Sequence, residues 1–166
     1  LKEAYDLLLK ADFPSLLYQV KKGATTIWEH WDGMKDDGSM WSADMNSFNH
    51  YAYGAIGEWM YRAMAGIEAD PEHPGFKHAI LYPRIGGNLK YTAGKYHSIY
   101  GDVGVKWEVQ GKQITLTVQV PVNTTAEIRL DQAKAVLESD GLTFTREADY
   151  MAAEAGSGTY HIAFEQ

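Results

Sequence analysis

The hydrophobic pattern of this chain changes period once, near residue 70, and that switch sets the folds open to it. Before it, apolar residues recur at helical spacing; after it, they alternate. Ala4, Leu7, Leu8 and Ala11 make one short helical run, which Phe13-Pro14 ends. Ser15 is placed to cap a second helix over Leu16–Lys22, with Gly23 as its stop. The longest helical pattern runs from Ser47 to Ile67. Phe48, Tyr51, Ala52, Ala55, Ile56, Trp59, Met60, Ala63, Met64 and Ile67 keep the i, i+3/i+4 rule along it. An apolar face that wide predicts neighbours on more than one side, as in a bundle or a barrel of helices.

The phrase EADPEHPGFKH breaks the helical pattern with two prolines and a glycine. Period-two segments follow at Ile80–Tyr82, Leu89–Tyr96, Val103–Val109, Ile114–Val120, Ala126–Leu130 and Tyr160–Phe164. Turn signals separate them: Gly86-Gly87-Asn88, Tyr100-Gly101-Asp102, Gln110-Gly111-Lys112, Asn123 and Gly156-Ser157-Gly158. Short strands at this spacing predict an antiparallel β-sandwich. The chain therefore reads as α+β in two parts, a helical unit over residues 1–70 and a small β unit over 71–166.

Composition narrows the partners. Apolar residues at 45% and charged residues at 22% are a globular balance. A net charge of −7 disfavours nucleic acid and anionic membrane surfaces, which reward a basic face. With no cysteine, disulfides and thiolate metal sites are excluded, and the cellular compartment stays open. No apolar run reaches the roughly 20 residues of a membrane-spanning helix. The opening LKEAYDLLLKADFPS has no basic n-region or small-residue cleavage site, so no signal peptide is expected there. It starts as if in mid-helix, without a capping residue or methionine, and reads as a piece of a longer protein.

Chemistry concentrates in TTIWEHWDGM, residues 25–34. Trp28 and Trp31 flank Glu29, in neither a helical nor a strand pattern. Apolar walls favour the protonated form of a carboxyl group, and indole faces stack on the C–H faces of sugar rings. A carboxyl group between aromatic walls suits glycoside hydrolysis. The same residues can also be read as core tryptophans with an exposed neighbour, and spacing alone leaves both readings open. Asp36 and Asp37 fall in a Gly/Asp/Ser-rich loop and read as solvated. The six histidines show no metal-ligand spacing, so neither a metal nor a cofactor is called for. His50, near the start of the longest helical pattern, suits a structural hydrogen bond or a place at a site. GGNLKYTAG is followed by no helix and is not a phosphate loop.

Three blocks in order carry a specific resemblance: GATTIWEHWDGM, SFNHYAYGAIGEWMYRAMAGI, and the stretch from HPGFKHAILYPRIGG to TTAEIRL. The chain resembles the C-terminal part of bacterial α-L-rhamnosidases of glycoside hydrolase family 78, from Tyr5 to Leu130, with Asp131–Gln166 matching least. The resemblance implies the last helices of an (α/α)6 barrel followed by a small antiparallel β-sandwich. It implies inverting hydrolysis of terminal α-L-rhamnosyl linkages, with Glu29 of the T-x-W-E-x-W motif as general base. Trp28, Trp31 and His50 would bind the sugar, and the general acid would lie upstream of Leu1. The expected partner is a rhamnose-containing glycoside or polysaccharide. The chain alone is then expected to be inactive, and to self-associate over the apolar face of its longest helix. A different reading is a carbohydrate-binding or bracing sandwich, attached to an (α/α)6 glycosidase of other specificity. Its sugar platform would be Tyr82, Tyr91, Tyr96, Tyr100 and Trp107, although strand alternation puts many of these on different faces.

Overall fold

A computed structural model describes residues 1–166, and the chain divides into two compact units, Leu1–Glu58 and Trp59–Gln166. The first begins with helix α1 (Lys2–Leu9) and helix α2 (Leu16–Lys21). The Ser15 side chain accepts the Tyr18 N–H at 3.0 Å, satisfying one of the orphan donors of the first turn of α2. Gly23 then takes the left-handed conformation, φ 85°. Residues 22–51 form no further helix; they are turns and extended segments held by specific hydrogen bonds.

The helix predicted over Ser47–Ile67 is replaced by a shorter, irregular one. A 3-10 turn at Ala52–Ala55 leads into α3 (Ile56–Trp59), which continues as a π-turn at Met60–Ala65. Two causes are visible. Backbone groups of Ser47 and His50 bond to the Ile27–Glu29 segment rather than to a helix, and Gly54 and Gly57 weaken the helical alternative. At the far end Gly66 adopts φ 76°, and a Cβ there would lie 2.1 Å from the Pro83 backbone nitrogen. Only glycine fits, so the helix stops and Ile67 enters a strand.

The second unit is a sandwich of two five-stranded sheets. Its strands are β1 (Ile67–Ala69), β2 (His78–Leu81), β3 (Tyr91–Ser98), β4 (Gly101–Gln110) and β5 (Gln113–Val120). The remainder are β6 (Thr125–Asp131), β7 (Ala135–Glu138), β8 (Thr145–Arg146), β9 (Tyr150–Ala155) and β10 (Gly158–Glu165). One sheet has the order β1-β2-β6-β9-β8 and the other β3-β4-β5-β10-β7. All pairings are antiparallel except β2 with β6, which run parallel. The inward faces follow the alternation in the sequence: Val103, Val105 and Trp107 on β4; Ile114, Leu116, Val118 and Val120 on β5; Ala126, Ile128 and Leu130 on β6. Trp107 is fully buried, sits opposite Leu116, and donates its indole N–H to the Met64 carbonyl at 2.9 Å. That bond fastens the π-turn to the sheet. Gly94 permits it sterically, since a Cβ there would come within 2.7 Å of the Ala65 Cβ.

Candidate functional site

The Glu29 segment is held from two sides by backbone hydrogen bonds. Glu29 N–H donates to the Ser47 carbonyl at 2.9 Å, and His50 N–H donates to the Ile27 carbonyl at 2.8 Å. The Thr26 hydroxyl also donates to the Phe48 carbonyl. These bonds lace residues 26–29 to residues 47–50, so the backbones bearing Glu29 and His50 form one seam.

Gln19, on α2 and 2% exposed, secures the segment from the other side. Its Oε1 accepts the Trp28 N–H at 3.2 Å, and its Nε2 donates to the His30 carbonyl at 3.5 Å. One buried amide thus grips the residues on either side of Glu29. Glu29 itself is half-buried, and no side chain of the chain is hydrogen-bonded or ion-paired to its carboxylate.

The two tryptophans differ in role. Trp28 is 4% exposed and meets Phe48 edge to face, with centroids 4.9 Å apart, so its ring is packed into this unit. Trp31 is half-buried and tilted against Tyr53 at 5.1 Å. Its indole N–H is buried without an acceptor from the chain, an orphaned donor of the kind that calls for an explanation. His50 is half-buried, and its Nδ1 accepts the Ala52 N–H at 3.3 Å. In the neutral ring the proton then sits on Nε2, which becomes a hydrogen-bond donor.

Residues 34–45 form a tongue clamped at its base. The Gly33 carbonyl accepts both the Trp41 N–H at 3.1 Å and the Asn46 side-chain amide at 2.8 Å. Gly33 packs tightly: a Cβ would lie 3.1 Å from the Trp28 ring and 3.2 Å from the Phe48 ring, so both rings would have to give way. On the tongue, Trp41 lies flat on His30, with centroids 3.7 Å apart and planes 14° from parallel. Asp36 is exposed but not merely solvated. It pairs with Lys22 at 2.8 Å and accepts the Tyr18 hydroxyl at 3.2 Å, and these two partners hold its pKa below the ordinary carboxylate value.

The family resemblance singles out Glu29, Trp28, Trp31 and His50, and the fold brings their segments together. It gave no signal for Gln19, Gly33, Asn46 or the His30–Trp41 stack. A glutamine inside an apolar helix turn and a glycine in a loop look alike whether or not they grip a site. Of the aromatics that could have made a sugar platform on the sandwich, Trp107 lies in the core, and Tyr82 packs on Tyr150 at 5.3 Å. Tyr91, Tyr96 and Tyr100 remain exposed.

Comparison with known proteins matches both units. Residues 2–64 fit the bacterial α-L-rhamnosidase 6 hairpin glycosidase domain, and residues 66–144 the bacterial α-L-rhamnosidase C-terminal domain. An α-L-rhamnosidase of Streptomyces avermitilis is 42% identical over 162 residues, covering 96% of this chain and 15% of the relative. An α-L-rhamnosidase of Formosa agariphila is 40% identical over 143 residues, covering 85% and 15%. A crystal structure of the S. avermitilis α-L-rhamnosidase complexed with L-rhamnose superimposes with a TM-score of 0.86 at 39% identity, over 96% of this chain and 16% of that one. The Aspergillus terreus α-L-rhamnosidase gives 0.76 at 31% identity, over 95% and 17%. The chain spans about 15% of the length of the curated relatives it matches.

Proposed function

Because this chain belongs to the bacterial α-L-rhamnosidase family, as its C-terminal portion, we propose that the protein carrying it hydrolyses terminal α-L-rhamnosyl linkages with inversion. Glu29 is its general base. The carboxylate takes a proton from water as the water oxygen bonds to the anomeric carbon. The glycosidic C–O bond breaks on the opposite face, and a general acid outside this chain protonates the departing oxygen. Inversion leaves room for that water by holding the two carboxyl groups roughly 6.5–9.5 Å apart. His50 donates through Nε2 to a sugar hydroxyl, the Trp31 N–H supplies a second donor, and Trp28 forms the wall behind them.

The observation that carries this reading is the setting of Glu29. It is a half-buried carboxylate without a side-chain partner, its backbone gripped by Ser47 on one side and its neighbours by Gln19 on the other. Such a group is positioned without being neutralised, as a base must be. In the whole enzyme Glu29→Gln should lower kcat by at least about 10²-fold on p-nitrophenyl α-L-rhamnoside. Near-normal turnover by that variant rejects Glu29 as the base.

The same proposal takes residues 1–70 as the end of the helical barrel and 71–166 as the sandwich; the change of family domain between residues 64 and 66 supports the two-part division, with β1 on the sandwich side of it. It makes the 166-residue chain inactive alone, for want of the acid. It also has the isolated chain self-associate. Leu7, Leu9 and Phe13 on and after α1, and Tyr51 and Tyr53 at the start of the irregular helix, leave apolar surface exposed. Light scattering should therefore show species above the monomer mass at high micromolar concentration, and a clean monomer there refutes this part.

A further inference from the structure

We propose that the sandwich unit carries a second saccharide-binding groove, sharing no residue with the Glu29 site, that takes a rhamnosyl unit of the same polysaccharide. The groove encloses about 740 Å³, within the roughly 300–1,000 Å³ of small-ligand sites. Tyr61, Phe76 and Tyr96 supply its aromatic walls, Ile67 and Pro71 its apolar floor, and the Arg62–Glu68 ion pair its polar rim.

Two backbone irregularities converge on it. Tyr61 sits in the π-turn, a local distortion that frequently marks functional positions. Phe76 follows Gly75 into the left-handed region, φ 66°, where a bulky side chain is strained. That backbone turns the Phe76 ring onto Tyr96, with centroids 4.4 Å apart and planes 30° from parallel. Within the groove Tyr96 is 43% exposed and Tyr61 47%, while Phe76 is half-buried beneath Tyr96. Two of the three rings, Tyr61 and Phe76, thus sit at irregular backbone, and Tyr61 and Tyr96 turn exposed faces into the groove while Phe76 packs on the core behind them.

The ligand class follows from the lining. Rhamnose is a 6-deoxy sugar, so one edge of its ring ends in a methyl group while the other carries hydroxyls. Aromatic faces receive the C–H surface, the apolar floor receives the methyl group, and the guanidinium and carboxylate of the rim donate to and accept from hydroxyls. The sugar's identity rests on the function proposed above; the groove's geometry does not.

Backbone-amide NMR and calorimetric titration of the 166-residue chain carrying Glu29→Gln, at a concentration where light scattering shows the monomer and with methyl α-L-rhamnoside as probe, test the proposal. Saturable binding is expected, with shifts at Glu68 and around Tyr96, and with affinity about tenfold lower in Tyr61→Ala or Tyr96→Ala. Both positions are exposed, and unchanged far-UV dichroism checks that the fold survives. In the whole enzyme bearing Glu29→Gln, the same two substitutions should weaken retention on a rhamnose-containing polysaccharide. No saturable binding, shifts confined to residues 27–50, or indifference to the double variant each overturn the groove. So does an effect in the 166-residue chain that is lost in the whole enzyme, since the groove is then covered by the rest of the polypeptide. The Glu29 reading fails separately, through an undiminished kcat in Glu29→Gln.

Discussion

Replacing Gln19 by methionine tests how Glu29, the proposed base, is held. The two side chains are close in length and volume, so the change removes two hydrogen bonds without opening a large cavity. The Trp28 N–H, buried and bonded to Oε1 at 3.2 Å, loses its acceptor. An orphaned buried donor costs about 1–3 kcal/mol. The bond to the His30 carbonyl at 3.5 Å lies at the outer limit of useful geometry and adds little. The expected loss is therefore about 1–3 kcal/mol, confined to the first unit. Urea unfolding followed by tryptophan fluorescence reads it, because Trp28, Trp31 and Trp41 all lie in residues 1–58. Catalysis should suffer as well, since a displacement of roughly 1 Å at a catalytic group can cost about 10²-fold. Gln19→Glu is the sharper companion. It keeps the acceptor for Trp28 but turns a buried, acceptor-only carboxylate towards the His30 carbonyl, so it should destabilise more than methionine. Gln19→Met within about 0.5 kcal/mol of the parent and with full kcat would show that the grip is incidental.

In the sandwich, Trp107→Phe removes the donor to the buried Met64 carbonyl and should cost about 1–3 kcal/mol in urea unfolding; an unchanged midpoint would mean the π-turn is anchored otherwise. Burial first, and then the charge of Asp131, push the Tyr82 phenol up to about 12. A raised phenol pKa contributes stability that is complete below its ordinary value near 10.0 and is lost as pH climbs towards about 12. Tyr82→Phe should flatten the fall in Tm over that alkaline window, and parallel profiles for the two proteins would contradict this account of Tyr82.

Much of the architecture could be read from residue patterns because local signals and packing agree there. Ser15 caps α2 as its position suggests, and the β5 sequence ITLTVQV alternates as its burial does. The long helix was misread because its apolar spacing is real while its backbone groups are claimed elsewhere, by Ile27 and Glu29 upstream and by Leu81 after Gly66. Neither partner is visible in the local sequence. The strand β9, YMAAEA, is composed largely of good helix formers, and only its register against β6, Ala126 opposite Ala155, makes it a strand. The short β7 and β8 follow from pairing in the same way. At the candidate site, Glu29 and its tryptophans attract notice by residue type, while their roles come from the motif they form. Gln19, Gly33 and Asn46 act through position alone, and position is what a single sequence lacks.

The tongue at residues 34–45 returns to a single carbonyl, that of Gly33, which accepts from both Trp41 and Asn46. Closing a loop on a fixed clamp makes the cost of its length grow only logarithmically. Insertions or replacements between the two attachment points should therefore reshape the tongue that carries Trp41 over His30 while leaving the Glu29 seam in register. On the function proposed above, the tongue can then change in length and residue type without moving the backbone that carries Glu29.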